Sequence, residues 1–403
     1  MNPEKSSVFE SLPTEVKEVF LDPLNGTPDN ITQAGCLKLA YLGVEAWNKW
    51  REKFPTKTKF NGPRNNADFS GCKLDEHDFF GFNFGDCPNF SKAEFSPLAS
   101  FEHTTLGDFA NFEGAKFVHG ANFSDCTIGQ NVNFSSTTWG GNIFFNNTKI
   151  GRDAEFSHAQ FFGKLSFKPK ELDNKNDFFG LNFSEACFYD VADFSYSDFK
   201  GKTSFRGASF NKCPLFHGSE LHQDISFDKA EFPPPIGCEE SARAYRTLKF
   251  AFAKLQAVHE EQRFFRLEMQ EEARREKGIR KGLFLAYEYF SWYGFSVFRP
   301  LGWAVLTSFL FSIIYGLLSW VNSCLLPDVA YCKFAPEWIS FSLLQMLPLP
   351  GMDKLTNDIA KEFLPNHGWL QLILIISMAL HKLIILSTIF FSGLALRNLF
   401  KLK

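Results

Sequence analysis

His381 and Lys382 are the only ionisable residues in the apolar run Trp369–Leu396. Charge inside such a run is costly and marks function more often than accident. At 100° per residue, Ser377, His381, Thr388 and Ser392 fall within about 60° of one another on a helix. A second uncharged run, Leu301–Val321, places Ser308, Ser312, Tyr315 and Ser319 in an arc of the same width. Two readings stay open. The stripes are either hydrogen-bonding faces of packed membrane helices or the walls of a water-lined path, in which His381 would titrate near neutral pH. Lys382 points away from its stripe and either lines a pore or snorkels to the headgroups.

Cys324 and Cys332 share the segment between these runs, and an oxidising compartment would allow a disulfide between them. Other nucleophiles and ligands are scattered. Cys72 and Cys126 match no zinc spacing, and the six histidines from His77 to His222 point to surface or packing roles. The glycines form no phosphate loop between a strand and a helix. No enzyme activity, cofactor or metal is expected.

The two apolar runs are long enough to cross a bilayer core, about 31 Å for the first at 1.5 Å per residue. Basic residues flank them on one side: Arg274, Arg275, Lys277, Arg280, Lys281 and Arg299 before the first, Arg397, Lys401 and Lys403 after the second. The intervening loop has only Lys333, Lys354 and Lys361, so both termini are expected in the cytosol. Phe284, Tyr287, Tyr289, Phe290, Trp292 and Tyr293 suit a helix at the membrane interface. Between the spans, Glu337–Leu347 is apolar but too short to cross, and Pro348, Pro350 and Gly351 end it. A re-entrant segment over 337–350 follows. Span, half-helix and span is the layout of a two-span cation-channel pore, without the carbonyl filter of potassium channels.

The bulk of the chain is organised by spacing. Phe90, Phe101, Phe112, Phe123, Phe134, Phe145, Phe156, Phe167 and Phe178 stand eleven residues apart, with large apolar companions five residues on, from Phe95 to Leu172. The ladder slips once and resumes at Phe183, Phe194, Phe205, Phe216 and Phe227. No helix or simple strand has that period, and a spacing sustained so long marks a solenoid. A small residue often stands two places before the large one, and a polar one directly before it, as in Ala67-Asp68-Phe69 and Ala121-Asn122-Phe123. Units such as Ala67-Asp68-Phe69-Ser70-Gly71 resemble the pentapeptide-repeat family over roughly residues 67–232. The resemblance implies a right-handed, four-sided parallel β-helix with the large and small residues inward. Steps of five and six give about 22 residues per turn and seven to eight coils.

The array carries 14 Lys/Arg against 23 Asp/Glu, a net of −9. Its front end needs a cap. Leu37–Lys53 supplies one as a single helix with Leu39, Leu42, Ala46 and Trp50 on one face. After Pro233-Pro234-Pro235, the stretch 239–280 reads as a solvated helical connector or helix pair with both signs of charge, with a partner-binding helix as the alternative. Expected domains are therefore 1–66 (N-terminal segment and cap), 67–232 (β-helix), 239–280 (connector) and 281–403. The last is an α-helical two-span membrane domain, with spans 301–321 and 369–396. Tyr293-Gly294-Phe295-Ser296-Val297-Phe298-Arg299-Pro300 and Leu394-Ala395-Leu396-Arg397-Asn398 resemble the tail of membrane-bound bacterial pentapeptide-repeat proteins. That implies a bacterial inner (cytoplasmic) membrane.

The function expected is a membrane-anchored homo-oligomer. Its cytosolic array binds or senses an unidentified protein, and its membrane part, in contact with lipid, gates an ion path. A passive scaffold without a pore is the alternative. Some soluble members of the family mimic DNA; the acidic array permits that, but a membrane tether argues against nucleic-acid chemistry.

Overall fold

The computed structural model describes residues 9–56, 66–75, 77–96, 99–169, 175–324, 337–346, 354, 356, 358–359 and 368–400. Two compact units divide it, residues 1–271 and 272–403.

In the first unit the eleven-residue ladder winds into a parallel β-solenoid with four sheets, two of them six strands deep. One turn is 22 residues on every face: Lys116 pairs with Thr138, Ala121 with Ile143, Thr127 with Lys149 and Asn111 with Asn133. The regular part is about six turns, fewer than the seven to eight expected from length alone. At either end the coils are held by single bridges, as at Lys73↔Glu94 and Ser209↔Glu231. The slip in the ladder is an insertion within one turn. There Ala154 pairs with Leu181 and Leu165 with Ala192, and the extra residues fall beside 170–174, outside the described residues.

The interior explains the period. Phe90, Phe101, Phe112, Phe123, Phe134 and Phe145 are completely buried, as are the small Ala93, Ala110 and Ala115. Rings one turn apart stack nearly parallel, Phe101 on Phe123 at 4.6 Å and Phe95 on Phe117 at 4.6 Å. Neighbouring columns meet edge to face, as Phe90 meets Phe101 at 5.7 Å, both geometries that aromatic quadrupoles favour. The polar residue before each phenylalanine secures the corner. The side chains of Asp68, Asn89, Asn111, Asn133 and Asn182 each accept the backbone N–H two residues on, at 2.9–3.1 Å. The corner itself takes a positive φ, as at Lys92, His103 and Asp125.

Helices close both ends. At the front, α1 (Thr14–Val19), α2 (Gln33–Tyr41) and α3 (Val44–Lys53) replace the single helix expected over Leu37–Lys53. Gly43, at φ +91°, breaks the run. The break leaves Leu42 exposed and drives Trp47, expected at the edge of the buried face, fully inside. Trp47 packs on Phe69, Phe82 and Phe84 at 5.3–5.9 Å and donates its indole N–H to the Asn83 carbonyl at 2.8 Å.

At the back, α4 (Glu239–Lys254) and α5 (Val258–Arg275) are the helix pair that the sequence allowed, but α4 and the start of α5 pack on the last coil as a second cap and are not a solvated connector. Phe264 meets Phe227 at 5.5 Å and Phe232 at 5.3 Å. The Arg263 guanidinium donates to the carbonyls of Phe227 and Ala230, two acceptors near the end of the array. Two of the charges that suggested solvent, Glu268 and Glu271, are buried and have partners. Glu268 takes Arg246 and Lys249 at 2.6 Å each, and Glu271 accepts the N–H groups of Gly237 (2.7 Å) and Cys238 (3.0 Å) where α4 begins.

The second unit contains α6 (Gly278–Ser291), α7 (Phe298–Cys324), α8 (Glu337–Gln345) and α9 (Gly368–Phe400). Phe298–Asn322 and Gly368–Arg397 are long and apolar enough to cross a membrane. Most of their surface faces outward, including Val305, Phe309, Ile375, Leu383 and Phe390, so they are unlike core helices of a water-soluble domain. The aromatic helix α6 packs where the long helices meet it: Tyr289 lies 4.8 Å from Trp303, and Tyr287 5.7 Å from Phe391.

Candidate functional site

The two polar stripes meet inside the second unit. Helix α7 turns Ser308, Ser312 and Tyr315 toward α9, which brings His381, Thr388 and Ser392; all six are buried. Ser319 and Ser377 are half-buried at the margin. His381 is the centre. Its Nε2 is 3.1 Å from Ser308 Oγ and its Nδ1 3.2 Å from the Tyr315 hydroxyl. Phe311 stacks on the ring at 4.5 Å. The neutral imidazole has one donor and one acceptor nitrogen, so two hydroxyls, which can do either, suit it in both tautomers. The flanking hydroxyls turn back on their own helices: Ser312 donates to the Phe309 carbonyl at 2.7 Å and Thr388 to that of Ile385 at 2.8 Å. Lys382, next in sequence, is half-buried.

Helix α8 joins this cluster from the side. Trp338 and Phe341 lie 6.1 and 5.2 Å from Tyr315, and the Ser342 hydroxyl donates to the Ser308 carbonyl. Gln345, at the end of α8, is 3% exposed, and neither its amide nitrogen nor its oxygen has a partner among the described residues. Periodicity could not single out Gln345, because it belongs to neither stripe. Cys324 is disulfide-bonded. Its expected partner, Cys332, lies outside the described residues, as do 347–350 of the expected re-entrant segment.

On the solenoid face where Ala154, Leu181 and Thr203 stand in register there is a groove of about 500 Å³. Asp153, Glu155, Asn182, Lys202, Arg206 and Asp228 line it, a mixture of both charges. The periodicity shows which residues face outward on this side but not that they border a groove. Among the described residues, one group has metal-ligand spacing: Glu102, His103 and Asp125 on the solenoid surface. Both carboxylates already have amide partners, Glu102 with Asn122 at 3.1 Å and Asp125 with Asn147.

Four parallel sheets, a 22-residue turn and an inward phenylalanine ladder define a β-solenoid built from pentapeptide repeats. Residues 79–127 match a family model described as Pentapeptide repeats (9 copies). No curated protein and no solved structure matches the chain.

Proposed function

We propose that this chain is a membrane-anchored pentapeptide-repeat protein whose solenoid binds a cytosolic protein and whose second unit assembles with copies of itself around an ion path. The observation that carries the conduction reading is α8. A nine-residue helix lies between two bilayer-length helices and reaches the level of Ser308. Ser308 is ten residues into α7, about 15 Å along it, near the middle of a hydrocarbon core about 30 Å thick. A helix that stops there is tolerated only where it is buried in protein or lines a cavity. The groove on the solenoid, lined by charges of both signs, is the surface we assign to the partner. The same reading places the protein in a bacterial inner membrane with both termini in the cytosol, and includes the Cys324–Cys332 disulfide on the far side.

Purified full-length protein in planar bilayers tests conduction. Currents that rise with protein density support it, and silence from both the whole chain and a variant lacking residues 1–271 removes the path. Thiol labelling of cysteines placed at 124 and 357, in a background without the free native cysteines, tests the topology. Position 124 should label only from the cytosol and 357 only from outside.

A passive anchor is the second reading, and one observation favours it. His381, Ser308 and Tyr315 satisfy one another within one chain. A stripe spent on packing its own two helices does not line a pore between subunits.

A further inference from the structure

From the basic end of the second unit we infer that Arg274 and Arg397 hold the headgroup phosphate of an anionic phospholipid, with the Tyr287 hydroxyl as a third contact. The site rests on the membrane anchoring proposed above, not on conduction.

Three elements supply it. Arg274 stands in the last turn of α5, Tyr287 in α6 and Arg397 in the last turn of α9. Helix α6 gathers them. The Tyr287 ring lies 5.5 Å from that of Tyr293 and 5.7 Å from that of Phe391, on the helix that ends with Arg397. Burial pushes the Tyr287 hydroxyl up from its ordinary value, and the Arg397 guanidinium is near enough to pull it partly back. Burial and the Glu288 carboxylate push the Tyr293 hydroxyl up, and Arg274 acts against them. Both guanidiniums therefore reach one pair of touching rings. The acids nearby are engaged elsewhere: Glu288 accepts the Tyr293 hydroxyl at 3.3 Å, Glu272 pairs with Arg275 at 3.3 Å and Glu276 with Arg280 at 3.8 Å. Arg274 and Arg397 are exposed, and among the described residues neither has an acidic partner; the Tyr287 hydroxyl has no hydrogen bond there either.

Guanidiniums with no carboxylate between them suit a phosphate, which arginine grips by parallel hydrogen bonds. Position makes that phosphate a lipid's. Phe298 begins one bilayer-length helix and Arg397 ends the other, so the site lies at one border of the apolar slab, where headgroups sit. Ile279 and Leu283 on α6 are exposed, as is Phe298. They offer acyl chains a surface that free phosphate would not need. Lys277 and Lys281, exposed and without acidic partners among the described residues, favour a net negative headgroup over a zwitterionic one.

Native mass spectrometry of the full-length protein in detergent, titrated with phosphatidylglycerol or phosphatidylcholine, counts the lipids retained. The comparison is the double variant Arg274→Gln, Arg397→Gln. Both side chains are exposed, so it should fold; where it does not elute as wild type, the two single variants take its place. We expect wild type to hold phosphatidylglycerol roughly tenfold or more tighter than phosphatidylcholine, and the double variant to lose that preference. Tyr287→Phe should weaken phosphatidylglycerol about threefold. Equal retention of both lipids by wild type overturns the site and leaves the anchor, and so does an undiminished preference in the double variant. Displacement of phosphatidylglycerol by inorganic phosphate overturns the lipid assignment. A protein that stays dispersed without detergent and retains neither lipid overturns the anchor as well.

Discussion

The solenoid hides phenylalanine and shows asparagine, aspartate and lysine; the second unit hides histidine, serine and tyrosine and shows leucine and isoleucine. Phe123 is completely buried, and so is His381. Each sits at the centre of its unit, touching the chain's next layer. Under the proposed membrane anchoring, the difference is the solvent. In water, burying apolar area is the main driving force, so the repeating large residue goes inward. Lipid tails are as apolar as leucine, so helices in a bilayer gain nothing by hiding leucine and associate through packing and hydrogen bonds. One polarity pattern thus has opposite meanings in the two halves of one chain, and each half can be used to test the other.

The largest effect should come from reversing the solenoid's pattern. Phe123→Asp places a charge among Phe101, Phe112, Phe134 and Phe145, each 4.6–5.9 Å from the lost ring. Phe123→Ala alone should cost about 3–5 kcal/mol, and the aspartate more, enough to prevent a cooperative melt of the solenoid. Ser124→Ala, one residue on and outside, should stay within about 0.5 kcal/mol. Urea unfolding followed by far-ultraviolet circular dichroism measures all three. Similar midpoints for Phe123→Ala and Ser124→Ala would refute the inward assignment.

Next in size is the back cap. Glu271→Ala removes the acceptor of two backbone N–H groups, those of Gly237 and Cys238. Loss of a charged acceptor that leaves buried donors unpaired costs about 1–3 kcal/mol. Hydrogen exchange should then speed up in the last coil, around Phe227 and Phe232, before it does near Phe123. Uniform acceleration along the array would show that α4 and α5 do not cap it.

A dry solenoid interior also predicts alkaline sensitivity. Burial pushes the thiols of Cys36, Cys126 and Cys213 up to about 12, from the ordinary 9.0. The folded form keeps these protons where the unfolded form gives them up. Their contribution is therefore intact below about pH 9 and is lost as pH rises from 9 toward 12. Urea midpoints should fall across that window. Cys126→Ala installs the residue that other coils carry at this position, and it should make the fall shallower. A midpoint that is flat to pH 11 in wild type would mean that water reaches these thiols.

Much of the fold was legible because the solenoid repeats a single decision. One residue in every five or six must point inward, and each interior column repeats every 22 residues, so the ladder at Phe90–Phe167 exposes both the period and the inward face, and the slip after Phe178 exposes the insertion. The caps were harder. A glycine inside a helical pattern is tolerated more often than not, so Gly43 did not announce the break between α2 and α3. Charges such as Arg263, Glu268 and Glu271 look solvated in sequence. Their partners lie 19 to 36 residues away, at Lys249, Arg246, Cys238, Gly237, Ala230 and Phe227. In the membrane unit, periodicity placed Ser308, Tyr315 and His381 on common faces, but a face has no label saying what it meets. Gln345 belongs to neither stripe, so periodicity gave no sign of its burial.

The smallest expected effect is the counterpart of Phe123→Asp. His381→Leu also reverses polarity at a fully buried centre, yet it should cost only about 0.6–1.7 kcal/mol. Two contacts disappear, those to Ser308 at 3.1 Å and Tyr315 at 3.2 Å. Ser308 can turn its hydroxyl to its own helix backbone, as Ser312 already does toward Phe309, and leucine keeps the packing against Phe311. The unfolded reference is also different. A separated helix in a bilayer finds other partners for its polar groups, whereas an unfolded solenoid exposes its phenylalanines to water. Reversible unfolding in bicelles, with Ser308→Ala and the double variant completing a cycle, gives the coupling directly. A coupling within that range makes His381 a helix-packing residue and concentrates the search for a conducting path on α8. A loss of 3 kcal/mol or more would mean that the membrane interior punishes a polarity change as severely as the solenoid does, and the contrast between the two units would fail at its centre.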